Sequence, residues 1–307
     1  ASAQYPNIRV SSSSPADTAA NEVTIAVNPV NPLNLAAGAN VRNTYFSTDG
    51  GLTWTRGLLP VGVLGDPSVI FDGQGTLYYG HLTDYRRLGV PGAIFIDRLA
   101  VHRSTNGGLS WKDSALVGYN PPRQQDKEWL AADMTNSTFK NNVYMSWTEF
   151  DKYGSIALTD SSRILFARST NGGTSWSTPV RISDHAGNCL DGDSTVEGAV
   201  PAIGPNGEVY VSWAGPAGLV IDKSTDGGQT WGKDVFIDSQ PGGWDYATSG
   251  IYRANGLPIT ACDVSASPYR GNVYVSWSDQ RNGATNADVF ISRSSDGGVT
   301  WTMAKRV

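Results

Sequence analysis

Four carboxylates in this chain, Glu22, Asp66, Asp126 and Glu197, each stand at the start of a short apolar run. The runs read NEVTIAVN from Asn21, GDPSVIFD from Gly65, DKEWLAAD from Asp126 and EGAVPAIG from Glu197. A fifth run of the same kind, GLPITACD from Gly256, opens without an acid. Carboxylates gathered in one place support three kinds of chemistry. They can form the acid/base pair of a glycoside hydrolase, with Glu197 and Asp66 as the pair and Asp126 in support. They can offer oxygen ligands to a cation such as Ca²⁺. They can equally serve as solvated loop acids or as caps for backbone donors. The run Asp191-Gly192-Asp193 adds two acids that suit a calcium site; the glycan-binding reading requires no cofactor.

Other residues offer binding rather than reaction. Trp244 and Tyr246 lie in the glycine-rich stretch GGWDYATSG, where an exposed aromatic face would stack on a sugar; the alternative is a tryptophan folded onto the rim. Glu22 joins them as a candidate substrate contact. Arg86 and Arg87 are adjacent and can grip an acidic group or stay hydrated. Two cysteines, Cys189 and Cys262, make no disulfide framework and are read as separate thiols. Three histidines are too scattered for a zinc site. A net charge of −5 without a basic stripe excludes nucleic acid as the natural partner. No run approaches the roughly 18 apolar residues of a membrane span.

The elements that must position these residues come from repetition. The segment STDGGLTW at Ser47–Trp54 recurs from Ser104, Ser169, Ser224 and Ser294 with only conservative change. Its Asp-Gly-Gly or Asn-Gly-Gly centre supplies the positive φ angles of a tight hairpin. Its Asp or Asn accepts hydrogen bonds from its own turn, and its tryptophan packs back on the sheet. Upstream of the later boxes lie VYMSW from Val143 and VYVSW from Val209 and Val273, with LYYGHL from Leu77 a looser copy. The short apolar runs precede these strands, and closing strands such as PVRIS at Pro179–Ser183 follow each box. Four strands per unit, repeated about 55 to 70 residues apart, describe a β-propeller blade.

Five such boxes resemble the Asp-box (BNR) repeats of the sialidase-like propellers, and the likeness covers nearly the whole chain. It implies an all-β fold of four-stranded blades, a single domain over 1–307. Its repeats run near 21–63, 64–123, 124–194, 195–254 and 255–307. Members usually have six blades, so the fourth-strand-like segment NIRVS at 7–11 implies a sixth blade completed from beyond Val307, or else closure with five. The resemblance places function at the channel mouth and likens Glu197 to the glutamate that polarises a tyrosine nucleophile. The departures are specific. The arginine motif F/Y-R-I-P is absent, Trp213 stands where a later arginine is expected, and the last inner strand, PITACDVS, has no tyrosine. The expected function is a secreted or cell-surface propeller that binds and cleaves glycans. The rivals are a non-catalytic carbohydrate- or protein-binding propeller and a calcium-stabilised scaffold.

Overall fold

A computed structural model describes residues 6–11, 20–59, 62–112, 114–248 and 250–307. Five antiparallel four-stranded sheets follow one another along the chain, each ordered from its first strand to its fourth. The first blade is β1 (Thr24–Val27), β2 (Leu35–Ala39), β3 (Asn43–Ser47) and β4 (Thr55–Leu58). The second is β5 (Val63–Phe71), β6 (Leu77–Thr83), β7 (Leu99–Ser104) and β8 (Ala115–Val117). The third is β9 (Gln124–Ala132), β10 (Val143–Phe150), β11 (Ser162–Ser169) and β12 (Val180–Arg181). The fourth is β13 (Glu197–Ile203), β14 (Val209–Gly215), β15 (Gly218–Ser224) and β16 (Val235–Asp238). A two-stranded hairpin, β17 (Tyr246–Thr248) and β18 (Ile251–Ala254), intervenes. The fifth blade is β19 (Ile259–Cys262), β20 (Val273–Asp279), β21 (Asp288–Ser294) and β22 (Lys305–Arg306).

Every box closes its hairpin by the same chemistry. In the first, Thr53 donates from its backbone N–H and its hydroxyl to Asp49, at 2.9 and 2.6 Å, while Gly51 N–H donates to Ser47 Oγ. The boxes divide into two forms. Asp49, Asp226 and Asp296 accept from a threonine hydroxyl. Asn106 and Asn171 instead donate to a serine hydroxyl, Ser110 and Ser175. The polarity of that bond reverses and the turn is kept.

The blades are joined by bonds that also repeat. The carbonyl of each later box's first glycine accepts a hydrogen bond from the preceding blade. The pairs are Asn34 to Gly107, Arg103 to Gly172, Arg168 to Gly227 and Lys223 to Gly297. A second set ties neighbouring blades near their inner strands: Val69 N–H to Thr24 Oγ1, Leu130 N–H to Ser68 Oγ, and Ser146 Oγ of β10 to the Ala199 carbonyl. Ser212 and Thr260 share a hydroxyl–hydroxyl bond of 2.6 Å. Between these polar ties lie clusters built around Trp147, Trp213 and Trp277, all fully buried. Such burial, roughly 2–3 kcal/mol per large side chain, is the main stabilisation between blades.

The two ends of the series differ from its middle. β10 is buried at every position, whereas β1 leaves Val23, Ile25 and Val27 around it exposed, and the fifth blade exposes Ile259 and Val289. Arg293 occupies the position of Arg103, Arg168 and Lys223, and it points into solvent. Residues 7–11, expected as a closing strand, form none; Val10 packs instead with Ala20 against Ala37, Ala39 and Tyr45 of the first blade. Both cysteines are free thiols.

Candidate functional site

The inner strands start at the same end of the blades, and their starts share a backbone irregularity. Glu22, Asp66 and Lys127 all have φ near +50°, and Gly198 has φ +77° at the equivalent place. The pairing of β5, β9 and β13 with their neighbours slips there, next to Asp66, Lys127 and Gly198. A bulge with a left-handed residue re-aims the side chains around it. Three non-glycine residues held in that region cost about 1–3 kcal/mol each, and such strain gathers where geometry serves a ligand. Leu257 departs from the series, since it has no positive φ.

These turns bring Glu22, Asp66 and Lys127 to the wall of a cavity of about 230 Å³ among the first residues of the inner strands. Glu128 and Trp129 line it as well, and Val23, Pro67, Val200, Leu257 and Ile259 complete a largely apolar wall. Lys127 Nζ bonds the Asp66 carboxylate at 2.9 Å. Burial opposes the Lys127 charge, but Asp66 and Asp126 more than offset it and hold the ammonium above its usual range. Asn40 clamps the acids, donating to Glu22 at 2.5 Å and accepting from the Asp66 N–H at 3.0 Å. Glu22 is also hydrogen-bonded to Asp66, and that shared bond, with burial and the Asp66 charge, raises its pKa.

Asp126 and Glu197 sit behind this wall, 8% and 1% exposed. Burial first, then the Asp66 charge, pushes Asp126 up to about 7. Glu197 lies within electrostatic reach of both Lys127 and Tyr153. Tyr153 donates to Asp191, and burial together with Asp191, Asp126 and Glu197 raises its hydroxyl pKa. The structure therefore brings Glu22, Asp66, Asp126 and Glu197 together, but only the first two reach the cavity.

Three expectations change. Trp244 is 2% exposed and belongs to the core between the fourth and fifth blades, so it offers no sugar-stacking face. Tyr246 opens β17 and is half-buried. Arg86 and Arg87 are both engaged by Asp84, at 2.7 and 3.1 Å, on a short 3₁₀ turn over Tyr85–Leu88, and neither lines the cavity. The Asp191-Asp193 pair is spent on protein contacts, with Tyr153 and with the Trp244 N–H. Among the described residues no group of three or more His, Cys, Asp or Glu is arranged to hold a metal ion.

Residue types alone did not single out Lys127, Glu128 or Tyr153. Lys127 carried the one available signal, its place beside Asp126 at a strand opening. Tyr153 comes from a loop outside the repeat, and nothing in its surroundings along the chain marks it. A second cavity, of about 720 Å³, lies beside the third blade where Arg123 and Arg163 meet Glu149 and Asp151. These four charges are mutually paired at 2.6–3.1 Å.

Blades of this construction, each closed by an Asp-box hairpin, define a β-propeller of the sialidase-like, BNR/Asp-box kind. The BNR/Asp-box repeat model matches residues 45–56, the first box. The photosystem II assembly lipoprotein Ycf48 of Synechococcus sp. (strain CC9902) is 26% identical over 212 residues, covering 64% of this chain. The chain spans 57% of that relative. Among solved structures, the NanB sialidase of Streptococcus pneumoniae is similar with a TM-score of 0.62 at 11% identity, over 98% of this chain and 63% of that one. The intramolecular trans-sialidase of Ruminococcus gnavus gives a TM-score of 0.61 at 13% identity, over 93% and 84%. A protein of unknown function from Dyadobacter fermentans DSM 18053 gives 0.59 at 15% identity, over 94% and 82%. At such identities the likeness is one of fold. Among the described residues no helix is long and apolar enough to cross a membrane.

Proposed function

We propose that this chain is an exported glycan-binding propeller whose ligand seats at the channel mouth. The observation that carries the reading is the cavity itself, a small apolar hollow with Trp129 at its edge and acids held rigidly by Lys127 and Asn40. An aromatic face with a few fixed polar groups is how a saccharide ring is gripped. Binding is favoured over hydrolysis by geometry. Cleaving carboxyls flank the glycosidic bond about 5–9.5 Å apart. Glu22 and Asp66 instead touch through a hydrogen bond, while Asp126 and Glu197 lie behind the wall. Acidic sugars are disfavoured, because among the described residues no arginine lines the cavity and its carboxyls outnumber Lys127.

The test is a glycan-array and glycoside-release panel run on the native protein, Trp129→Ala and Glu197→Gln. Binding lost in Trp129→Ala without turnover in any sample supports the reading. Turnover abolished by Glu197→Gln would replace it with a hydrolase. A second reading is favoured by the match to an assembly lipoprotein: a propeller that chaperones protein assembly. No glycan binding, with capture of a protein partner, would select it.

A further inference from the structure

Successive blades meet through a recurring set of side chains, and the fifth blade carries that set on an uncovered face. On the second strands Tyr78, Tyr144 and Tyr210 are at most 3% exposed. Tyr78 packs against Gly173 of the next box and Tyr210 against Gly298. In the third and fourth blades a serine two residues further on bonds the next inner strand: Ser146 meets the Ala199 carbonyl and Ser212 the Thr260 hydroxyl. On the third strands Arg103, Arg168 and Lys223 donate to the first glycine carbonyl of the next box. The fifth blade repeats all three residues, as Tyr274 and Ser276 on β20 and Arg293 on β21.

Burial marks this face as open. β10 is buried at every position and β14 at all but its last. β20 instead buries every second residue, Val273, Val275, Trp277 and Asp279, and leaves Tyr274, Ser276 and Ser278 half-open. Val289 and Arg293 beside them are exposed. The first blade is bare on its corresponding side. Ile25 and Val27 hold the places of Val69 and Phe71, which are buried with Ala36 against the first blade, yet they are 60% and 52% exposed. A face that is buried whenever a blade follows, and apolar where none does, is a site of association.

We propose that the open face of the fifth blade seats one further Asp-box blade of the same polypeptide, held by Arg293 at the first glycine carbonyl of its box and by Ser276 at its inner strand. Continuity sets the occupant. Each of the four existing interfaces joins consecutive stretches of one chain, and a guanidinium, a hydroxyl and a phenol ring in this arrangement match features that a blade presents together. The far side of the added blade meets Ile25 and Val27. Its own third-strand donor reaches the Gly50 carbonyl, the first-box counterpart of Gly107, Gly172, Gly227 and Gly297. Its inner strand opens between Leu257 and Glu22, which both line the cavity, and so adds to that wall whether or not the ligand is a glycan.

The experiment supplies such a blade from the chain itself. Residues 183–237, the fourth blade with the connection that leads into it, are repeated after Val307. That residue stands where Ile182 stands in the third blade, since the two N–H groups bond the equivalent carbonyls of Val289 and Ile164. Amide hydrogen exchange followed by mass spectrometry reads docking, and sedimentation reads mass. Expected are monomers of both proteins, with exchange in β1, β20 and β21 slowed at least about tenfold by the added blade. Arg293→Ala should leave exchange in the native chain unchanged and, in the extended chain, undo that slowing by about fivefold or more. An added blade that exchanges as an unfolded tail, or slowing that is the same with and without Arg293, overturns the proposal. So does a native chain in which β20 and β21 exchange as slowly as β10 and β14, because the five blades then close on one another. A native dimer that Arg293→Ala dissociates makes a second copy the occupant and overturns it as well.

Discussion

Lys127 reaches from β9 to the Asp66 carboxylate of β5, 2.9 Å away, and both residues hold their strands in the left-handed region at φ +52° and +51°. The contact links the inner strands of two blades at the channel mouth. It also supplies the positive charge around which Glu22, Asp66, Asp126 and Glu197 gather. Backbone strain and acid crowding are thus concentrated at one level of the fold, where a ligand can exploit them.

Removing that charge leaves the acids without compensation. Lys127→Met should destabilise the protein by about 2 kcal/mol, less than a fully buried pair because both side chains keep some solvent contact. Asp66→Asn combined with Lys127→Met should recover more than half of the loss, since the second change removes the carboxylate that was stranded. Urea denaturation of the single and double variants measures this, and an additive double variant would show that the pair is not coupled.

Asp126 gives a pH signature of definite sign. Its pKa stands near 7 in the folded chain, raised by burial and by Asp66, against an ordinary value of 3.8. Between those values the folded state holds a proton that the unfolded state has lost, so stability declines as pH rises from about 4 to 7 and levels off above. Asp126→Asn removes this decline. The variant should match the native protein near pH 4 and exceed it by a few kcal/mol at pH 8. Melting temperatures across that range decide the matter, and parallel curves would contradict it.

The box carboxylates run the other way. Hydrogen bonds from Thr53, first among several from its turn, draw Asp49 down to about 2. Asp226 reaches about 2 because bonds from Thr230, Ser224 and Gln229 outweigh burial. Their contribution is complete above the unfolded value near 4 and is lost as pH falls through 2. Asp226→Asn paired with Thr230→Ser recreates the Asn–Ser form found at Asn106 and Asn171. It should flatten the acid limb at little cost at pH 7, as acid unfolding by circular dichroism would show. Asp226→Ala should cost about 1–2 kcal/mol at every pH above 4.

The fold was legible because its determinants are local and repeat. An Asp-Gly-Gly turn dictates a hairpin wherever it stands, and VYVSW is a near-continuous apolar run, as a strand buried on both faces is, so the repeats confirmed one another. The alignment of strand openings also placed Glu22, Asp66, Asp126 and Glu197 at one level, because register within a repeat carries over from blade to blade. What spacing could not convey was depth. Trp244 lies in a glycine-rich loop that reads as surface, yet the loop folds its ring into the core. Glu197 heads its strand and is still hidden, because the bulge at Gly198 turns its side chain behind the wall. Glu128 shows the same limit, since a carboxyl inside the run DKEWLAAD carries no mark of its depth. Only three-dimensional packing shows it buried.

The second glycine of each box separates two costs that sequence alone merges. Gly228 and Gly298 have nearly the same φ, +81° and +88°, so alanine at either meets the same backbone penalty of about 1–2 kcal/mol. Their surroundings differ. A Cβ on Gly228 would lie 2.4 Å from Phe166, a ring with no exposure that is stacked on Tyr144 and set edge-on to Trp231. A Cβ on Gly298 would meet Tyr210 at an ordinary 3.7 Å. Phe166 cannot yield without disturbing the core between the third and fourth blades, so Gly228→Ala carries an overpacking cost of about 1–3 kcal/mol that Gly298→Ala escapes. Equilibrium unfolding should therefore place Gly228→Ala at least about 1 kcal/mol below Gly298→Ala. Phe166→Leu, by clearing the space, should narrow that gap. Equal losses in the two alanine variants would mean that backbone conformation alone sets the glycine requirement, and that the blades do not press on one another through their boxes.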